Sequence, residues 1–305
     1  MKRRAFMTRA LPATTLPFLV GGLRLTAFGR SPLLDALLRT TAVDRALVLV
    51  QLSGGNDGLN TVIPLDEYTQ LSNARSNIMI DPSVVLKLTD ATGLHPAMTG
   101  LHNLYSNGSL AIVQGVSYPT PNFSHFRATD IWLTGSDYNQ VLTSGWLGRY
   151  LDKEFPNFPT GYPSTTDPDP LGVQIGSLVS PALDGPTASM GLAITNPNST
   201  YILPGGSDVA PNTPSGYDLT YVRTVAQQAQ AYSATIKAAA AKGTNKSVLY
   251  PTSGQNSLAD QLRIVAQLMS GGLKTRIYVV SLGGFDTHSA QVDSTDATHT
   301  TGNHA

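Results

Sequence analysis

The sequence predicts an α/β fold, a mostly parallel sheet flanked by helices. Two apolar runs, 46–52 (ALVLVQL) and 276–282 (RIYVVSL), each lead directly into a Gly-Gly pair. Runs of this length with polar and glycine flanks suit strands buried on both faces, as in parallel sheets. Between them lie segments whose apolar residues recur every three or four positions, the helical period. Strands alternating with helices are the pattern of an α/β domain.

The elements follow in order. After the first strand, 96–107 places Met98, Leu101, Leu104 and Tyr105 on one helical face, with Gly108 as a stop. Residues 110–113 (LAIV) read as the next strand. A helix is expected from Ser124 through Trp132, and another from Trp146 to Phe155. The composition then changes, because 11 of the 20 prolines fall between Pro156 and Tyr221. Proline and glycine at this density favour turns and short edge strands, so 156–217 is expected to be an irregular insertion. Short strands are expected within it at 171–179 and 190–195. Helical spacing returns at 218–242 and 257–269, closed by Gly243 and Gly271-Gly272, before the last strand.

A chain of 305 residues can bury a large core without crosslinks. It contains no cysteine, which excludes a cysteine nucleophile, an iron–sulfur cluster, thiolate zinc and a disulfide framework. Charged residues are 13%, against about 25% in typical globular proteins. The net charge of +0 conceals an asymmetry: residues 1–30 carry six bases and no acid. The remainder is therefore acidic, by about six charges, which disfavours nucleic acid and anionic lipid as partners. The basic head Lys2-Arg3-Arg4 precedes a short apolar stretch, 10–22, interrupted by Pro12 and Pro17. That stretch falls short of the ~20 residues needed to span a bilayer, so no stable membrane span is expected. The arrangement resembles a twin-arginine export signal over 1–30 and implies a periplasmic or extracellular address. A single α/β domain is expected over 31–305.

In open α/β sheets, ligands gather at the carboxyl ends of strands. The first strand ends there in Gly54-Gly55-Asn56-Asp57, and the last in Gly283-Gly284-Phe285-Asp286-Thr287-His288. Glycines allow sharp turns and close approach, and carboxylate and imidazole groups beyond them suit a divalent cation. Asp57, Asp286 and His288 are thus candidate metal ligands. A third segment, Asn122 to Asp130, opens a helix with Ser124 at its start, where backbone N–H groups and the helix dipole favour an anion. Arg127, one turn on, has the fork geometry to grip oxyanion oxygens. Each feature also has a structural reading: a turn for Asn-Asp-Gly, a helix cap for Ser124, an ion pair for Arg127. His95 and His102 read as structural.

Together, the Gly-Gly-Asn56-Asp57-Gly block, Leu94-His95-Pro96, the 122–132 segment and Gly-Gly-Phe-Asp286-Thr-His288 resemble a family of exported bacterial proteins, domain of unknown function family 1501. The resemblance covers nearly the whole chain. That family is in turn similar to the alkaline phosphatase and sulfatase superfamily, which hydrolyses phosphate or sulfate esters at a two-metal site. The resemblance implies an alkaline-phosphatase-like fold and divalent metal cofactors (zinc, manganese or calcium). It implies Asp57 on one metal and Asp286 and His288 on the other, with His304 as an additional ligand. Ser124 would be the catalytic nucleophile, and Asn56 and Arg127 would bind a small anionic ester. Family members continue to a Gly-Thr-Asp-His-Gly segment, so the chain is expected to be truncated, short of some metal ligands and a poor catalyst as it stands.

Two other functions remain open on sequence. Gly55-Asn56-Asp57 resembles the oxyanion-hole block of Ser-Gly-Asn-His esterases, with Asp286 and His288 completing a triad. A non-catalytic exported scaffold, using the Pro-rich segment as its contact surface, fits the low charge equally well.

Overall fold

The structure, a computed structural model, describes residues 17–20, 23–26, 45–199, 210–287 and 291. The chain divides into two compact units, Met1–Leu47 and Val48–Ala305. In the first, β1 (Pro17–Val20) and β2 (Leu23–Thr26) pair as an antiparallel hairpin. The basic head Lys2-Arg3-Arg4, expected to begin an export signal, lies outside the described residues.

The second unit is built on a four-stranded sheet in the order β3-β9-β7-β8. These strands are β3 (Leu47–Leu52), β7 (Gly172–Ile175), β8 (Gly191–Ile194) and β9 (Ile277–Leu282). β7 is parallel to both β8 and β9. The Ser53 N–H donates to the Leu282 carbonyl at 2.8 Å, so the first and last strands finish at the same rim. The sheet is therefore mostly parallel and flanked by helices, an α/β arrangement. Two runs separated by most of the chain become neighbours, but only β9 is largely buried: β3 lies at the edge with Val50 and Leu52 exposed, which corrects the expectation that both are buried on both faces.

β7 and β8 come from the Pro/Gly-rich segment, which corrects the expectation of short edge strands for β7. All four of its residues are buried, and it lies inside the sheet between β9 and β8. Its prolines fall in the flanking turns and leave Gly-Val-Gln-Ile free to donate every ladder hydrogen bond. A second correction concerns 110–113. This segment forms no strand, and Val113 is 78% exposed, because apolar character makes a strand only where a partner edge is engaged.

The helices follow their expected periodicity. α6 (Pro214–Lys242) begins with the Thr213 hydroxyl accepting from Gly216 N–H and buries Ala229, Tyr232, Ile236 and Ala239 along one stripe. α7 (Ser257–Ser270), capped by the Asn256 side chain, packs against α6 and β9. α5 (Trp146–Glu154) buries Leu147, Gly148 and Leu151. α3 (Thr99–Ser106) forms where expected, but Leu101 and Leu104 remain exposed.

Between β3 and α3 lies a smaller subdomain that the sequence did not announce. It comprises α1 (Gly58–Thr61), α2 (Tyr68–Arg75) and a three-stranded antiparallel sheet of β4 (Val62–Pro64), β6 (Thr92–Leu94) and β5 (Leu86–Lys87). Ile63, Ile80 and Val85 form its core, and Tyr68 seals it by donating its hydroxyl to the Ile80 carbonyl at 2.8 Å. These strands are two or three residues long, too short for alternation to register.

Candidate functional site

The rim where β3 and β9 end carries the candidate site. Gly54 has φ +104° and Gly284 φ +97°, a region that side-chain-bearing residues rarely adopt. Both strands therefore turn abruptly at the same level, and the two loops meet. A Cβ built on Gly54 would lie 3.2 Å from the Asp286 Cβ. One built on Gly55 would lie 2.9 Å from the Cε1 of His125 and 3.5 Å from Asp286 Oδ1. The absence of side chains at 54 and 55 is what admits the other two residues.

His125 opens helix α4 (His125–Thr134), which begins with the Ser124 side chain accepting from Arg127 N–H and ends at Gly135. From that position its Nε2 lies 3.1 Å from Asp286 Oδ1, with both side chains about half exposed. An imidazole and a carboxylate 161 positions apart thus meet above the glycine turns. His125 lies inside the 122–130 segment, where Ser124 and Arg127 were the expected site residues. The available signal was its place beside Ser124 on the first turn of an expected helix.

The other predicted residues divide. Asp57 lies at the same rim, but its carboxylate is in use. Arg75 from α2 grips both oxygens, with Nη1–Oδ1 at 3.0 Å, and the Gln291 amide donates to Oδ2. Asp57 also caps α1 through Asn60 N–H at 3.4 Å. Burial pushes its pKa up, but the hydrogen bonds from Arg75 and Gln291 and the Arg75 charge outweigh this and hold it below the ordinary 3.8. A cation at Asp57 would require Arg75 and Gln291 to withdraw. Asn60 fixes the loop from below, buried and donating to the Ile78 carbonyl at 2.7 Å. With Asn56, Asp57, His95 and Phe285 it lines a cavity of about 30 Å³. His95 is buried there, its Nδ1 accepting from Ala97 N–H at 3.1 Å, and His102 lies 3.1 Å from the Lys87 carbonyl. Asn56 receives the Thr61 hydroxyl at 3.4 Å.

Ser124 is exposed and immediately precedes His125. Arg127 is turned to a different task, its Nη2 donating to the carbonyls of Asp137, Tyr138 and Gln140. It therefore ties down the loop that follows α4. His288 and His304 lie outside the described residues. Among the described residues no three His, Asp or Glu side chains form a metal-sized group, and no helix is long and apolar enough to cross a membrane.

The Asp57–Arg75 pair makes a stability prediction. A carboxylate whose pKa is depressed by folding adds stability that is complete above its unfolded value, near 4, and is lost as pH falls through the folded value. Asp57→Asn should therefore lower the urea midpoint at pH 7 by an amount equivalent to about 2 kcal/mol, since it leaves Arg75 without its counter-charge. That gap should narrow as pH drops below about 4, because unfolding of the wild type then takes up a proton at Asp57 that the native pair resists. A gap unchanged between pH 7 and pH 3 would show that the pair contributes nothing through charge.

Comparison of the chain with family models, curated proteins and solved structures finds no match.

Proposed function

We propose that the protein is an exported, metal-dependent hydrolase of phosphate or sulfate esters, with an alkaline-phosphatase-like elaboration of the α/β fold and a relation to domain of unknown function family 1501. One observation carries the reading: His125 and Asp286 lie side by side, 3.1 Å apart, where β3 and β9 end in glycine turns. An imidazole nitrogen and a carboxylate oxygen so placed, partly open to solvent, are a donor set that zinc or manganese accepts. Asp57 as placed fits less well, because Arg75 already neutralises it.

A divalent ion bound at such a pair supplies Lewis-acid polarisation of the ester oxygens. The residues of the chain supply the rest. Ser124, next to His125 at the start of α4, is the nucleophile in this reading, and the helix start favours the negative charge of the ester. Asn56 and the glycine turns give the anion close access to backbone. Export is supported by the basic head and the acidic remainder of the chain.

The test uses the full-length protein, with elemental analysis and assays on 4-nitrophenyl phosphate and 4-nitrophenyl sulfate. Zinc, manganese and calcium are added in turn. The expected result is bound metal and turnover that a chelator removes and metal restores. Absence of both metal and turnover would end the reading.

A second reading draws on the same pair, because an imidazole held by a carboxylate is also half of a serine-esterase triad. Labelling of a serine by a fluorophosphonate, persisting in chelator, would favour that esterase.

A further inference from the structure

Helix α4 carries more than His125. Positions 125, 128, 129 and 132 follow the i, i+3, i+4, i+7 spacing, so His125, Ala128, Thr129 and Trp132 share one helical face. Seven steps of helical rise separate its ends by about 10 Å. Opposite this face stands β3, whose Val50 and Leu52 are two residues apart and therefore project from one side of the strand. These two faces enclose an open cleft of about 370 Å³, with His125 and Gly54 at one end.

Val50 is 40% exposed, Leu52 41% and Trp132 45%, and all three line the same cleft. Among the described residues, His125 is the one titratable side chain that lines it. β3 is an edge strand among the described residues. A volume of this order lies within the range of small-ligand sites, which are mostly apolar with a few polar groups at one end.

We propose that this cleft seats the apolar, aromatic portion of the ester. Trp132 is its specificity-determining face, and the anionic head lies at His125 and Asp286. This rests on the hydrolase reading for the position of the head and adds the class of the alcohol: an aryl or similarly flat, uncharged group. The length of the α4 face accommodates one aromatic ring beyond the head. Trp132 offers a face for offset stacking, and Val50 and Leu52 close the other side. A charged or strongly hydrated alcohol would lose solvation there without a partner.

The experiment measures binding of two non-hydrolysable probes, phenylphosphonate and methylphosphonate, by calorimetry on the full-length protein with manganese present. Phenylphosphonate is expected to bind about tenfold more tightly. The difference should vanish in Trp132→Ala and persist in Trp132→Phe. Val50→Glu, at an exposed position, is an independent variant expected to remove it by placing a carboxylate beside the ring. Equal affinity for the two probes in the wild type, no binding of phenylphosphonate, or a difference surviving both Trp132→Ala and Val50→Glu overturns the proposal. The two readings fail separately. Selective phenylphosphonate binding without turnover of any ester overturns the hydrolase and supports the cleft. Turnover indifferent to the alcohol and to Trp132 overturns the cleft and supports the hydrolase.

Discussion

Asp286→Ala is expected, on the hydrolase reading proposed above, to lower turnover of 4-nitrophenyl phosphate by about a thousandfold, or about 4 kcal/mol at the barrier. The far-ultraviolet circular dichroism should be unchanged. The size follows from its place: its carboxylate reaches the His125 imidazole at 3.1 Å, on the loop that leaves β9. Removing it takes away one of two described donors and leaves the other unoriented. Because the side chain is about half exposed and stands beyond the end of the strand, no core is disturbed. Gly55→Ala tests the same geometry from the other strand. A methyl there would lie 2.9 Å from the His125 Cε1, so the imidazole must move. Its expected cost is about tenfold, since displacements of this size at a reacting centre are felt strongly. Full activity in Asp286→Ala at unchanged metal content would falsify the placement of the site at this rim.

A large effect on stability is expected at Gly148, in α5. A Cβ there would lie 2.1 Å from the Asp184 carbonyl oxygen and 2.6 Å from the Gly185 nitrogen. Both are backbone atoms of the turn before β8, so no side chain can swing aside. The helix must instead lift off, uncovering Leu147 and Leu151, which are 1% and 0% exposed. Gly148→Ala should therefore cost about 3 kcal/mol or more despite the better helix propensity of alanine. That is a large fraction of the ~5–15 kcal/mol available to a domain and should lower the melting temperature by about 10 °C. Gly100→Ala, in α3 with nothing within 4 Å of the new methyl, is the control. It should be neutral or slightly stabilising. Equal melting temperatures for the two variants would mean that α5 does not sit on the 184–185 turn.

The candidate site was legible in part. Glycine pairs after apolar runs announced the turns at 54 and 284, and the cap at Ser124 announced the start of α4, because both are read from residues within one turn of each other. Asp57 was legible as a carboxylate at the rim but not as the partner of Arg75, which reaches it from α2. Nor was His125 legible as the neighbour of Asp286. An expected helix start shows where a side chain begins, but not which distant loop it meets. Trp132 and His125 shared a face by spacing, and only β3 lying opposite made that face a wall.

The sequence by itself determined the local elements: the apolar runs of β3 and β9, the stripes of α6 and α7, and the caps that begin and end the helices. Tertiary structure decided which of them pair. It drew β7 out of a proline-rich stretch into the interior of the sheet, left 110–113 without a strand partner, and gave Asp57 to Arg75. The reason is range. Propensity, periodicity and capping act over a few residues of backbone, whereas strand order and side-chain partnership follow from burying apolar faces that lie a hundred or more residues apart.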